Sequence, residues 1–101
     1  MDGVAYLILP IYESDALGQP ILVDEKKTQI YVTEKSVTGL EWHEAGRDGI
    51  NAQFVLKTPY INYNGESIVE YKGKRYAVYR TYHPENSDDI ELHLEKKVGI
   101  E

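Results

Sequence analysis

The segment EYKGKRYAVYRTY, from Glu70 to Tyr82, decides how this chain of 101 residues folds. It contains Lys72-Gly73 between two runs in which apolar and polar residues alternate. Glycine supplies the positive φ that a tight hairpin turn needs, so the two residues predict a β-hairpin. Lysine is less favourable than asparagine at the first turn position, so a bulged variant of the turn stays open.

The two-residue turn also predicts which side chains face each other. Glu70 stands opposite Arg75, an opposite-charge pair that stabilises a hairpin by about 0.2–1 kcal/mol. The residues of the other face are apolar or aromatic and line a core: Val69, Tyr71, Tyr76 and Val78. The basic side chains of the segment then lie on the solvent side of the hairpin.

Basic residues mixed with aromatics can also form a nucleic-acid surface. The whole chain argues against that interpretation, since its formal net charge is −6 and its pI is about 5.0. Phosphate neutralisation supplies most of the affinity of nucleic-acid binders, which therefore carry a basic domain or stripe. The composition favours the β-hairpin interpretation.

Further short runs predict strands, and glycine or proline turns separate them. In the last run, Ile90, Leu92 and Leu94 point inward, and His93 points outward into solvent. The predicted strands are Val4–Tyr12, Gln29–Val37, Ile50–Leu56 and Ile90–Leu94, with turns at Asp15–Pro20 and Asn64-Gly65, and Pro10 marks a bulge or an edge. The sequence therefore predicts a mainly β fold, a small antiparallel β-barrel of about six strands in one domain spanning 1–101.

The segment from Thr38 to Gly49, TGLEWHEAGRDG, lacks this alternation. Thr38 and Glu41 fit a capping box, in which each side chain satisfies the exposed backbone N–H of the other residue. The sequence predicts one or two helical turns that end at a glycine, either Gly46 or Gly49. Trp42 has two interpretations that stay open: a core residue that pins the helix to the barrel, or an exposed anchor at a protein interface.

The sequence shows no constellation that supports catalysis or ligand binding. There is no cysteine, and the three histidines (His43, His83 and His93) lack metal-ligand spacing. No serine lies in a nucleophile elbow and no glycine loop could bind phosphate. We expect no catalytic, metal or cofactor site and no enzyme activity. The apolar start of the chain is too short to span a bilayer, so no membrane partner is expected.

Two segments of the chain resemble the bacteriophage head–tail joining proteins, also called head-closure, stopper or connector proteins. From Tyr63 to Gly99, YNGESIVEYKGKRYAVYRTY and DDIELHLEKKVG follow the family's glycine turn, tyrosine-rich hairpin and acidic-apolar final strand. From Ser36 to Gly49, SVTGLEWHEAGRDG has the family's Glu-aromatic pair, an alanine three residues on and a closing glycine. The first strand with its DALG loop fits as well, so the resemblance covers nearly the whole chain. Pro10 and the His43-Glu44 pair have no counterpart in the family's pattern.

The resemblance implies a structural protein of the virion neck. Members form a ring, dodecameric in the virion, beneath the portal and adaptor rings. They close the channel of the DNA-filled head and provide the docking surface for a tail completion or tail tube protein. DNA passes through such a ring without sequence-specific binding. The implied locations are the host cytoplasm during assembly and then the virion.

The resemblance also assigns a role to the segment that strand alternation does not explain. A loop inserted between strands projects into the channel in this family, and Thr38–Gly49 is the matching segment here. The candidate gate or interface residues are Thr38, Leu40, Glu41, Trp42, His43, Glu44, Arg47 and Asp48. Two alternatives stay open: a tail-completion or tail-terminator protein, and a free β-barrel module that binds nucleic acid or peptide.

Overall fold

The computed structural model describes residues 2–97, which form six antiparallel strands and one α-helix. Helix α1 (Gly39–Arg47) lies between the second and third strands, and a 3-10 helix (Tyr60–Asn62) follows the third. The strands close into a barrel in the order β1-β2-β3-β6-β5-β4, which confirms the predicted fold class and its inserted helix. They are β1 (Asp2–Ser14), β2 (Pro20–Lys35), β3 (Ala52–Pro59), β4 (Ile68–Tyr71), β5 (Lys74–Tyr82) and β6 (Asp89–Glu95).

The β4–β5 hairpin has the predicted register. Glu70 is paired with Arg75 across the two strands, and their charged groups lie 3.5 Å apart. Lys72 and Gly73 both have positive φ, 53° and 78°, as in a two-residue type I′ turn without a bulge. The Lys72 ammonium lies 3.1 Å from a carboxylate oxygen of Glu34 in β2, so the unusual turn residue is also held by an ion pair.

β4 closes the barrel by pairing with β1 on its other side, where it covers only Ala5 to Ile8. The pairing of β2 with β3 is also short and covers Thr33 to Lys35. It stops where the next bond would need the N–H of Pro59, which proline lacks. The Thr58 hydroxyl donates to the Tyr31 carbonyl oxygen instead, at 2.9 Å.

Beyond these pairings, β1 and β2 continue as a two-stranded arm, defined here as residues 9–24. The Asp15 carboxylate holds its tip by accepting from the N–H groups of Leu17 and Gln19, each at 2.8 Å, which confirms the predicted turn. The register of the arm shifts between Ile11 and Tyr12. Pro10 lies next to this bulge and past the end of β4, on an edge, as its sequence context predicts.

The second strand is longer than the sequence predicted, since β2 begins at Pro20 rather than at Gln29. Both faces of the arm are exposed, so no face is selected for apolar residues and no alternation marks the strand. The barrel and arm together measure 48 × 31 × 27 Å.

The core inside the barrel is built from the alternate residues of every strand. Leu56, Leu92 and Leu94 are fully buried, and Phe54 makes edge contacts with Tyr71 and Tyr76 at 5.4 Å between ring centroids. The predicted inward residues that are buried are Ile30, Val32, Val69, Tyr71, Tyr76, Ile90, Leu92 and Leu94, with Val78 partly buried. The inward faces of these strands are therefore confirmed.

The third strand was predicted less well. It begins at Ala52 rather than Ile50, and its pairing with β6 shifts register between Ala52 and Phe54. Its alternation is nevertheless kept, since Ala52 and Leu56 are buried and Phe54 packs against the core. Val55 and Leu56 are successive residues and face opposite sides of the strand, yet both are buried. Val55 lies on the outer face of the barrel, where the segment with α1 packs against β3.

We expect Leu92→Ala to lower the free energy of unfolding by roughly 2–5 kcal/mol, because the truncation loses buried apolar surface and leaves a cavity. Urea titration at constant pH measures the change. The exposed residue Gln29 of β2 provides the matched control, and Gln29→Ala should change stability by less than about 0.5 kcal/mol. Equal destabilisation by the two substitutions would contradict the core assignment.

Candidate functional site

Helix α1 is defined at both ends by local bonds that its sequence encodes. The Thr38 hydroxyl accepts from the N–H of Glu41 at 3.1 Å, which is half of the predicted capping box. At the other end, the N–H groups of Gly49 and Ile50 donate to the carbonyls of Gly46 and Ala45, which is a Schellman motif. Gly49 has φ of 77°, so it is the glycine that ends the helix.

The second half of the capping box is replaced by contacts with the barrel. The Glu41 carboxylate accepts from the Tyr79 hydroxyl at 2.5 Å and contacts Nδ1 of His93 at 2.6 Å. The Arg80 guanidinium lies 3.5 Å from its other oxygen. The side chain that was expected to cap the helix therefore attaches the helix to β5 and β6.

His93 is buried, with 2% of its surface exposed, so the prediction of a solvated histidine is wrong. Its neighbours Leu92 and Leu94 point into the core, so His93 does lie on the outer face of β6, as predicted. The error has one physical cause: Glu41 and its helix cover that part of the outer face. Alternation within a strand identifies the face but does not show what packs on it.

A second carboxylate lies on the other side of the His93 ring. Oε1 of Glu91 is 3.3 Å from Nε2 of His93, and the Lys35 ammonium contacts Glu91 at 2.8 Å. Among the side chains of residues 2–97, Nε2 of His93 is the buried polar atom that has no hydrogen-bond partner. The ring therefore lies between two carboxylates from different elements.

The surroundings of these carboxylates favour their charged forms. Burial alone would raise the pKa of Glu41, but the hydrogen bonds from Tyr79 and His93 and the nearby positive charge lower it below the ordinary value. The pKa of Glu91 is lowered in the same way, with burial opposed by Lys35 and His93. Burial and the Glu41 carboxylate raise the pKa of the Tyr79 hydroxyl, which stays protonated and donates.

We name this group the Glu41 cluster; its members are Lys35, Glu41, Tyr79, Arg80, Glu91 and His93. It provides most of the specific attachment of α1, because Ala45 is the one buried residue of that helix. Sequence reasoning identified Glu41 but not the other five as members of a site. They lie on three different strands, and all but Lys35 are 38 or more residues from Glu41 in sequence, so no local signal connects them.

The remaining candidate residues lie outside the cluster. Leu40 and Trp42 are exposed, with 71% and 59% of their surface accessible. The hypothesis that Trp42 lies in the barrel core is therefore wrong, and a role at an interface stays a prediction. The other candidate residues of the segment, His43, Glu44, Arg47 and Asp48, are exposed as well.

The described residues offer no metal-binding geometry. Within residues 2–97, no group of three or more histidine, aspartate or glutamate side chains could hold a metal ion. The same part of the chain contains no helix that is both long and apolar enough to cross a membrane. Chemically, the Glu41 cluster is a hydrogen-bonded charge cluster that joins helix α1 to three strands of the barrel, β2, β5 and β6.

No protein-family model matches the chain, and a search of curated proteins finds no similar sequence. Any function must therefore be proposed from the residues, the geometry and the resemblance described above. The last two residues of the strongest resembling stretch, Tyr63–Gly99, lie outside the described residues.

We expect Glu41→Gln to loosen α1 and to lower the free energy of unfolding by about 1–3 kcal/mol at pH 7, because it removes a charged acceptor from buried donors. The folded-state pKa of Glu41 lies below its ordinary value of 4.5, so the carboxylate stabilises fully above that pH. This stabilisation is lost as the pH falls through the folded-state pKa. Acid titration of the fluorescence of Trp42, the chain's one tryptophan, should detect release of the helix.

Glu44→Gln is the matched control, since it makes the same chemical change at an exposed position of the same helix. It should leave both the stability and the acid transition of the tryptophan signal unchanged. Identical behaviour of the two variants would show that the Glu41 cluster does not attach the helix.

Proposed function

We propose that this chain is a structural neck protein of a tailed bacteriophage. It forms a ring under the portal and adaptor rings, closes the DNA channel of the filled head and provides the surface on which the tail docks. The proposal involves no catalysis and no cofactor. The observation that carries it is the attachment of α1, in the segment that matches the family's channel loop, by a polar cluster outside the barrel core.

A gate must move without unfolding the protein that carries it. The barrel closes entirely through strand pairing, and the core cluster contains no residue of the segment Thr38–Gly49. The segment is held instead by the hydrogen bonds and ion pairs of Glu41, which a competing contact can replace with little loss of buried apolar area. The barrel and the segment can therefore respond separately.

The exposed apolar residues of α1 suit contacts between ring neighbours. Successive helical residues are about 100° apart, so Leu40 and Trp42 lie on either side of the attached residue Glu41. Leu40 therefore lies on one flank of the helix and Trp42 on the other. In a ring, the two flanks of each subunit's segment face different neighbours, and aromatic residues are favoured anchors at such contacts.

The charge of the chain suits a channel for DNA. A net charge of −6 repels phosphate, so duplex DNA can slide past the ring without binding. The exposed part of the segment contributes Glu44 and Asp48 against Arg47. These charges support passage of DNA more than recognition of its sequence.

The charge pairs on the barrel disfavour the alternative of a free nucleic-acid module. In the segment Glu70–Tyr82, three of the four cations lie against carboxylates: Lys72 against Glu34, Arg75 against Glu25, and Arg80 against Glu41. Cations that are already paired contribute little to phosphate binding. A tail-completion or tail-terminator protein remains the second candidate, since it too would be a small β-rich ring protein.

We expect replacement of Glu41–Asp48 by a glycine linker to leave a folded barrel that still joins purified portal complex. Heads assembled with this variant should then lose their DNA, because the gate is missing. Thermal melts, portal cosedimentation and the DNA content of assembled heads measure the three properties. A folded variant that gives full, infectious particles would rule out the gate.

A milder variant separates the gate from the attachment of the helix. Leu40→Ser/Trp42→Ser removes the two exposed apolar side chains and leaves the Glu41 cluster intact. It should keep the stability of the wild-type chain and still reduce DNA retention. Tyr31→Ser, at an exposed aromatic of β2, is the matched control and should retain DNA.

We expect the free chain to be mostly monomeric at micromolar concentration. A ring protein that assembles on a portal template needs only small and relatively polar contacts between its subunits. Sedimentation velocity of the purified chain measures this directly. A stable closed ring without portal would contradict templated assembly, but it would not contradict the proposed location of the protein in the virion neck.

A further inference from the structure

We infer that the arm, residues 9–24, is the surface by which one copy of this chain docks onto the opposite end of the next copy. The inference goes beyond the proposed function by naming the contact between copies. Only the closure of these contacts into a ring rests on the proposed function. The arm has three properties that carry the inference: exposed apolar faces, protected edges and a net negative charge.

The apolar side chains of the arm are exposed on both faces. Tyr12 and Leu22 are partners across the two strands and are 57% and 52% exposed. An isolated two-stranded ribbon is only marginally stable in water, so an arm of this composition gains from being covered. The exposed apolar residues of the arm are Leu9, Ile11, Tyr12, Leu17, Ile21, Leu22 and Val23.

The edges of the arm are protected against the addition of another strand. The carbonyl of Tyr31 faces β3, and alternate residues of a strand bond to the same side. The register of β1 with β2 extends this alternation along both strands. It places the backbone of Pro10 at the free edge of β1 and the backbone of Pro20 at the free edge of β2. Prolines and a bulge block strand pairing, so an occupant must cover the faces of the arm rather than extend the sheet.

The charge of the arm identifies a complementary surface on the same chain. Between residues 9 and 24 the charged side chains are Glu13, Asp15 and Asp24. At the base of the arm, Lys26 is the cross-strand partner of Leu9 and Glu25 that of Pro10, so the ribbon as a whole carries a net negative charge. The end of the barrel that lies away from the arm contains the turn at Lys72, because β4 runs antiparallel to β1 and places this turn beside the start of β1. Lysines outnumber the carboxylates of Asp2, Glu34 and Glu95 at this end. The lysines at that end are Lys72, Lys74, Lys96 and Lys97.

A small cleft at the basic end can receive a side chain from the arm of another copy. It is lined by Gln53, Lys74, Arg75, Tyr76 and Lys96. Neither lysine forms an ion pair within residues 2–97, whereas Arg75 is paired with Glu25 of the same copy. Lysine stems can cover apolar side chains while their ammonium groups contact carboxylates. Since arm and cleft are different surfaces of the same chain, the contact is head-to-tail, a type that generates rings when its rotation closes.

The test is a charge swap on the purified full-length chain. Self-association is measured by sedimentation up to roughly 1 mM, a range suited to a weak contact. Glu13→Lys/Asp24→Lys on the arm and Lys74→Glu/Lys96→Glu at the cleft should each weaken association at least about tenfold, because each places like charges together. An equimolar mixture of the two variants should recover association, since every arm then meets a cleft of opposite charge.

Glu85→Lys/Asp88→Lys is the matched control, because it changes the net charge as much as the arm variant but at exposed residues outside the arm. It should associate as the wild-type chain does or more tightly. Failure of the mixture to recover association would overturn the inference. So would absence of self-association in the wild-type chain, or a salt-dependent shift of duplex DNA that depends on Lys74 and Lys96.

The outcomes for the contact and for the proposed function are separable. If the charge swap fails while the chain still joins portal and retains DNA, the docking inference is wrong and the neck function stands. If the swap succeeds but the chain does not join portal, the contact between copies is real and the neck function fails.

Discussion

The pairing of β4 with β1 over the four residues Ala5–Ile8 closes the sheet, and the rest of the structure depends on it. Because β4 is short, closure uses only the first part of β1 and leaves the remainder as an arm outside the barrel. The base of the arm is held across the outer face by Arg75, whose guanidinium contacts both carboxylate oxygens of Glu25, at 2.6 and 2.7 Å. One short pairing thus creates both a closed core and a projecting surface.

The closed sheet divides the molecule into parts of unequal stability. The core residues are buried by strand pairing, which continues around the barrel without a free edge. Helix α1 and the arm lie outside the closed barrel; Glu41 attaches the helix, and Glu25 holds the base of the arm. Elements with few buried apolar contacts open at lower free energy than a core, so these are the parts that can rearrange on assembly while the barrel stays folded.

Local sequence signals predicted what depends on neighbouring residues. The Lys72-Gly73 turn set the register of β4 and β5, and alternation identified the inward residues Leu92 and Leu94. The cap at Thr38 and the glycine after the helix marked the segment Thr38–Gly49, within which α1 is observed. Each of these features is determined by residues a few positions apart, where backbone geometry and side-chain period leave few alternatives.

Long-range contacts could not be predicted in this way. Arg75 was expected to pair mainly with Glu70, but Glu25, fifty residues away in sequence, makes the shorter contact. His93 was expected in solvent because its strand showed which face it occupies and nothing showed that Glu41 covers that face. Both partners are carboxylates of an acidic chain that has more acids than bases, so charge alone leaves many pairings open. The barrel topology decides among them, and the residues that it brings together hold the two elements through which we propose that the chain acts.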